Sequence, residues 1–307
     1  MASDWYLKTS SNWKLVNNAF VKVSGNWKEI QEGYIKVSGA WKQFYQAFVA
    51  TAFSTATANT TIVVPDGANA IHVQAAVGGG SGGVMGAEYD KAGGESAGAG
   101  GASGGYVSDQ VYSVTQGETL TLTIGAAGAK STGSSYNTTA GNGGNTVLSG
   151  STTGTIFTLT GGVGGSGTGG GVQGPLRSNN PSTAGTATVA ATVLTSGSFK
   201  ESDGSSASIP SATTLDNGPV GSYNSSGNGV AGTNPGNCGG DNCQITGGVG
   251  GASYAGNISG GAGGVASSSN GGNGSRGSGA GGGGAQGQTN GGDGGAGEIV
   301  YRFLRVQ

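Results

Sequence analysis

Ten runs dominated by glycine punctuate the chain, at 78–83, 93–105, 125–128, 141–144, 161–171, 247–251, 260–264, 271–274, 277–287 and 291–297. They constrain the fold more than any other feature. Glycine loses the most backbone entropy on ordering and buries no side chain, so such runs order only if something replaces the missing burial. Glycine at this density without a strict repeat is also the composition of low-complexity disorder. Two observations point to a frame instead. The runs alternate with segments patterned as strands, and the last run leads directly into an apolar strand, 298–306, that has no place dangling in water.

The form of the runs follows by elimination. They lack the Gly-X-Y register and the proline of collagen, and helix propensity excludes an α-helix. What remains is an extended helix of three residues per turn, the polyglycine II form, with no internal hydrogen bonds. Its amides must be satisfied by neighbouring runs, because buried backbone groups are not left unpaired. Glycine is then required wherever two backbones touch. If each run crosses the domain once, parity places segments 84–92, 129–140, 172–246, 265–270 and 288–290 at the far end. Segment 252–259 and the corner at Ser275-Arg276 fall near the base. Ten crossings return the closing strand to the base, within reach of Ile71.

Between the runs, 61–64 and 70–77 read as strands of a hairpin, with Ile71, Val73, Ala75 and Val77 alternating with His72 and Gln74. Segments 106–124 and 145–160 read as two further hairpins at the base. Segment 172–246 reads as a loop too long to be a passive connection, and it holds five of the six prolines.

The N-terminal 47 residues are different. Tyr6, Phe20 and Tyr34, then Lys8, Lys22 and Lys36, then Trp13, Trp27 and Trp41 each recur at a spacing of 14, and each copy reads as a short hairpin with its return strand starting at Trp, the turn being Ser-Gly in the second and third copies and the poorer Ser10-Ser11 in the first. All four tryptophans of the chain, Trp5 included, lie here, and three small hairpins cannot bury them. Repeated exposed Trp implies a partner surface. Three equivalent units on one chain suit a partner with threefold symmetry, so one copy can cap a trimer.

Composition excludes several classes. Only 34% of the 307 residues are hydrophobic and 9% charged, with a net charge of -2, so there is neither a conventional oily core throughout nor the charge of a solvated disordered chain. Six of the thirteen basic residues sit in the arm, and the glycine region has too few to meet phosphates, so nucleic-acid binding is not expected. No secretory signal and no membrane span is expected, which makes this a protein synthesised in a cytosol. Cys238 and Cys243 enclose Gly-Gly-Asp-Asn; a local disulfide and two free thiols both fit, and two ligands do not make a zinc site. The run at 78–83 satisfies G-x-G-x-x-G, but no helix-forming segment follows. The one histidine, His72, stands on the polar face of its strand, and the carboxylate pairs Glu88/Asp90 and Glu201/Asp203 lie in loops. No catalytic residue, cofactor or metal is expected.

The layout carried by GGGSGG at 78, GGVGGSGTGGG at 161, GSGAGGGGAQG at 277 and the GGDGGAGEIVYRF ending resembles the distal receptor-binding adhesins of long tail fibres in T-even-like bacteriophages. The resemblance implies a mostly irregular and β fold with almost no α-helix. Residues 1–47 would be a fibre-attachment arm and 48–307 a receptor-binding domain of about ten stacked polyglycine II helices with base strands and long distal loops. It implies docking on a trimeric tail-fibre protein, one copy per fibre trimer, through Tyr6, Trp13, Phe20, Trp27, Tyr34 and Trp41. The partner at the far end would be a bacterial outer-membrane protein or surface glycan, and the protein would sit at the fibre tip of the virion. Tyr89, Asp90, Lys91, Tyr136, Arg177, Phe199 and Tyr223 stand in expected far-end segments amid Ser, Gly and Asn, the composition of adaptable recognition loops. Two other readings compete: a glycine-rich structural or ice-binding surface protein, and a polysaccharide depolymerase.

Overall fold

The structure is a computed structural model that describes residues 6–9, 12–15, 20–30, 32–46, 48–83, 100–132, 137–168, 183, 185–210, 214–216, 273–274, 281–282 and 290–307. Within these residues the chain is strand and irregular structure, with no helix. The arm holds β1 (Tyr6–Thr9), β2 (Asn12–Leu15), β3 (Phe20–Val23), β4 (Asn26–Glu29), β5 (Glu32–Val37) and β6 (Ala40–Gln46). Then come β7 (Ser54–Ala56), β8 (Thr60–Val63), β9 (Ala70–Val77), β10 (Tyr106–Ser113), β11 (Thr119–Thr123), β12 (Asn137–Thr139) and β13 (Thr146–Gly150). The last are β14 (Gly154–Leu159), β15 (Ser166–Thr168), β16 (Ala187–Val189), β17 (Ser198–Lys200), β18 (Ser206–Ser208), β19 (Thr214–Asp216) and β20 (Glu298–Leu304).

Three separate antiparallel hairpins make up the arm, β1-β2, β3-β4 and β5-β6. In the second and third, both turn residues take positive φ: Ser24 and Gly25 at 50° and 85°, Ser38 and Gly39 at 50° and 86°. That conformation matches the twist of the flanking strands, which is why a two-residue Ser-Gly turn suffices.

The base is a sandwich of two five-stranded antiparallel sheets, in the orders β19-β10-β9-β20-β7 and β16-β14-β13-β11-β8. Ile71, Val73, Tyr112 and Ile299 from the first meet Leu120, Leu122, Leu148, Phe157 and Leu159 from the second in one buried cluster. Leu120 and Leu122 are buried while Thr119 and Thr121 are exposed, the two-residue period of a strand with one dry face. The closing strand pairs with β9, placing Phe303 opposite Ile71. Two expected hairpins are corners instead: β8 and β9 lie in different sheets, as do β10 and β11. Segment 145–160 is the hairpin expected, β13 against β14.

The glycine runs hydrogen-bond to one another through their backbones. Along 78–83 the amides donate in rotation: Gly78 to Gly105 O at 2.8 Å, Gly79 to Gly144 O at 2.9 Å and Gly80 to Gly295 O at 2.8 Å. The cycle then repeats, with Ser81 donating to Ala102 O at 2.8 Å, Gly82 to Gly141 O at 3.0 Å and Gly83 to Gly292 O at 2.8 Å. The donors thus return to the same neighbour every third residue. Three more neighbours donate back, through Gly162 to Gly79 O, Gly128 to Gly80 O and Gly282 to Ser81 O. The outer runs also contact each other in a ring. Amides of Gly101, Gly294, Gly141, Gly143 and Gly105 donate to Gly282, Gly128, Ala129, Gly162 and Thr160 respectively. The ring closes where a Cβ on Gly282 would lie 2.1 Å from Gly292 O. Run 78–83 is thus the axis, enclosed by six others.

One expectation about connectivity fails. Segment 172–246 does not remain at the far end, because 183–186 makes an additional return crossing. Gly185 N donates to Ser103 O at 2.9 Å, and Thr160 N donates to Thr186 O at 2.8 Å. This carries β16 to the edge of the second sheet and β17-β18 onto the first, where Phe199 is buried with Ala70, Val111, Ile209 and Leu304. The crossing is hard to recognise because it carries one glycine. On the outside of the bundle a rod needs glycine only where it touches its neighbours, and a Cβ at Gly185 would lie 2.0 Å from Thr160 O.

Candidate functional site

The residues singled out in the sequence fall on two surfaces, the arm and the far end of the bundle. In the arm, the registers set Lys8 opposite Trp13, Lys22 opposite Trp27 and Lys36 opposite Trp41. The 14-residue repeat is therefore a structural repeat, with the same cross-strand pair in each hairpin. Trp27 and Trp41 are each 69% exposed and Tyr34 is 49% exposed. Lys22 Nζ stands 5.9 Å from the Trp27 ring, a cation–π contact worth about 0.5 kcal/mol at an exposed site. Exposed Val21, Val23 and Val37 add apolar surface to the same hairpins. Tyr6, Trp13 and Phe20 hold the equivalent strand positions, and their side chains lie outside the described residues.

Towards the far end, Ser131 N donates to Gly83 O at 3.1 Å and β12 pairs with β15. Six of the expected recognition residues, Tyr89, Asp90, Lys91, Tyr136, Arg177 and Tyr223, fall outside the described residues. Phe199 is the seventh, and its assignment to a far-end loop is corrected: it is 3% exposed, at the base.

Side chains that sequence reasoning passed over fix how the rods sit against each other. Asn142 Oδ1 accepts from Gly164 N at 2.8 Å, and Asn145 Oδ1 from Gly161 N at 3.1 Å. Asn273 Oδ1 accepts from Asp293 N at 2.9 Å, and Asp293 Oδ1 from Lys130 N at 2.9 Å. Each carbonyl or carboxylate replaces the rod that would otherwise satisfy an outward-facing amide. The signal was present in the sequence, since Asn-Gly-Gly-Asn occurs at both 142–145 and 270–273. On the axis, buried Ser81 accepts from Ala102 N through Oγ at 2.7 Å.

His72 is not on a solvated face: it is 4% exposed, with Arg302 Nε donating to its Nδ1 at 3.2 Å. The same guanidinium grips Glu201 bidentately, at 2.6 and 3.0 Å. Glu201 is therefore engaged with a cation and does not converge on Asp203, whose Oδ1 accepts from Ser205 N instead. Among the described residues no cluster of three or more His, Cys, Asp and Glu could hold a metal, and no helix is long and apolar enough to cross a membrane.

No curated protein matches the sequence. The glycine-rich domain family matches residues 54–304. That match opens on the first residue of β7 and closes on the last of β20, so it spans the sandwich together with the bundle it carries. The chain belongs to the glycine-rich domain family.

Proposed function

We propose that the chain is a host-recognition adhesin at the tip of a bacteriophage tail fibre. Its glycine rods form a polyglycine II frame, its arm caps a trimeric fibre protein, and its far-end segments bind an outer-membrane protein or surface glycan of the host. Recognition is non-covalent, and several copies on one virion would turn modest affinity into avidity. The observation that carries this reading is the pair of equivalent hairpins presenting Trp27 and Trp41 at equal, high exposure. A monomer gains nothing from leaving two tryptophans in water, and tryptophan is the side chain most enriched at binding hot spots.

The test uses the full chain with Trp13, Trp27 and Trp41 all changed to Ala. Assembly onto purified fibre trimers should fall by more than a hundredfold, while binding of the free protein to host cells stays within twofold of the unmodified chain. Loss of cell binding with fibre assembly intact would overturn the assignment of the two ends. Failure of both chains to bind cells, together with inhibition of ice recrystallisation or release of sugar from purified polysaccharide, would favour the structural or the depolymerase reading.

A further inference from the structure

The outer face of the first sheet carries a group of charged and aromatic side chains that the binding reading does not use. Arg302, on β20, lies between two aromatic rings, 4.5 Å from the Phe53 centroid and 5.2 Å from that of Phe199. Its guanidinium spends Nη1 and Nη2 on Glu201, in the turn of the β17-β18 hairpin, and Nε on His72. Four side chains, from the segment before β7, from β9 and from the β17-β18 hairpin, thus converge on one cation, which joins two backbone bonds in tying the hairpin to the base, Ala50 N to Lys200 O at 2.7 Å and Gln307 N to Ser198 O at 2.9 Å. Beneath the hairpin lies the apolar cluster of Val111, Phe199, Ile209 and Leu304.

Proton positions follow from the donor inventory. An arginine has only donors, so Nδ1 of His72 must present its lone pair, and the imidazole is neutral with its hydrogen on Nε2. Nε2 is buried and has no hydrogen-bond partner, the nearest charge being Asp109 Oδ1 at 3.4 Å. The charged groups facing the imidazole are Arg302 from β20, Asp109 from β10 and Glu201 from the hairpin turn. A proton added at Nδ1 would set two donors against each other at 3.2 Å and place a second cation beside Arg302 in a site shut off from water.

We propose that His72, Arg302 and Glu201 form an acid-sensitive latch, in which protonation of His72 displaces Arg302 and loosens the 198–208 hairpin on the base, leaving it held by its backbone bonds to Ala50 and Gln307 and by Phe199. Burial, then Arg302, hold the histidine below its ordinary value of 6.5, outweighing the opposite pull of Asp109 and Glu201. A folded-state value below the unfolded one means that the closed state is fully favoured above about pH 6.5 and loses stability as pH falls. Ordinary carboxylates stay ionised until pH approaches about 4, so a loss between 6.5 and 5 belongs to the imidazole. His72 is the only histidine in the chain, and its replacement by Gln separates its titration from that of Glu298, which burial raises.

Amide hydrogen exchange on the full chain at pH 7.5 and 5.5, with labelling times scaled for intrinsic rates, tests the latch. A single proton can change protection by at most about tenfold per pH unit. Protection of 198–208 should fall about tenfold at pH 5.5, while the β13-β14 hairpin is unchanged. In His72→Gln, whose amide oxygen can still accept from Arg302 without titrating, the fall should vanish. Nitrogen NMR of the unmodified protein gives a second reading should that variant misfold. The imidazole should show hydrogen on Nε2 at pH 7.5 and titrate below 6.5. Equal protection of the hairpin at both pH values overturns the latch, as does a His72→Gln variant that keeps the fall or an imidazole that titrates at or above 6.5.

Discussion

Leu122 in the sandwich and Gly79 on the bundle axis are both shut away from water, one chosen for its side chain and the other for having none. The sandwich removes apolar area from water, with Leu120, Leu122, Leu148 and Phe157 interdigitating between two sheets. The bundle has almost no apolar area to remove. It brings backbones close enough that each amide finds a carbonyl on a neighbouring rod, gaining hydrogen bonds and dispersion contacts in place of an oily interior. A substitution should therefore act in opposite senses in the two regions. The sandwich fails when a side chain shrinks and the bundle fails when one grows.

The largest expected effect is at Gly79. A Cβ there would lie 2.1 Å from Ala126 O and 2.9 Å from Gly144 N, both backbone atoms that cannot swing aside. Relief requires parting the axis from two rods and stretching the bonds from Gly79 N to Gly144 O and from Gly162 N to Gly79 O. Gly79→Ala, a change that normally stabilises slightly by stiffening the unfolded chain, should cost about 4 kcal/mol here. Chemical denaturation of the full chain measures it. A loss under about 1 kcal/mol would mean that the rods are not in contact at this point. Next comes Leu122→Ala, which leaves a cavity in a fully buried site and should cost about 3 kcal/mol. If both variants lose similar stability and unfold in one transition, the two regions fold as a unit. Separate transitions would show the sandwich standing without its bundle.

Much of this contrast is readable from the sequence, for physical reasons that also set its limits. The arm repeat is legible because Trp and Lys columns at one spacing can only be the same local structure repeated, and Ser-Gly supplies the positive φ its turn needs. Rods announce themselves where several backbones touch, since only glycine fits. At the periphery that requirement relaxes, so 183–186 crosses with a single glycine and escapes notice. Alternation assigns a face to each strand but not a sheet, which is why β8-β9 and β10-β11 read as hairpins and fold as corners. His72 illustrates the same limit. Its period correctly puts it away from the sandwich core, yet that outer face is covered by a hairpin whose three-residue strands are too short to show a pattern. Most of the expected far-end recognition residues fall outside the described residues, so it is the arm whose exposed side chains can be compared with the sequence reading.

The smallest of the three effects tests whether the division between the regions is complete, because Glu118 does in the sandwich what the rods do for each other. It is 4% exposed, and its carboxylate collects four bonds: Thr115 N at 2.7 Å and Thr153 Oγ1 at 2.6 Å on Oε1, then Thr152 N at 3.1 Å and Thr153 N at 3.0 Å on Oε2. These amides belong to turns that no strand partner reaches, so one anion organises two corners at once. Burial alone would raise its pKa; the bonds from Thr153, Thr115 and Thr152 more than offset that and hold the carboxyl below its ordinary 4.5. A depressed folded-state value contributes stability that is present above about pH 4.5 and lost as pH falls through the folded one. Glu118→Gln keeps the shape, removes the charge and turns one oxygen into a donor facing amides, so it should cost about 2 kcal/mol at pH 7. The gap between the variant and the unmodified chain should narrow as pH drops from 5 to 3, because acid neutralises Glu118 in one and has nothing to neutralise in the other. Denaturant midpoints measured across that range give the answer. A gap that stays constant would mean that the carboxylate's shape, and not its charge, holds the corners together.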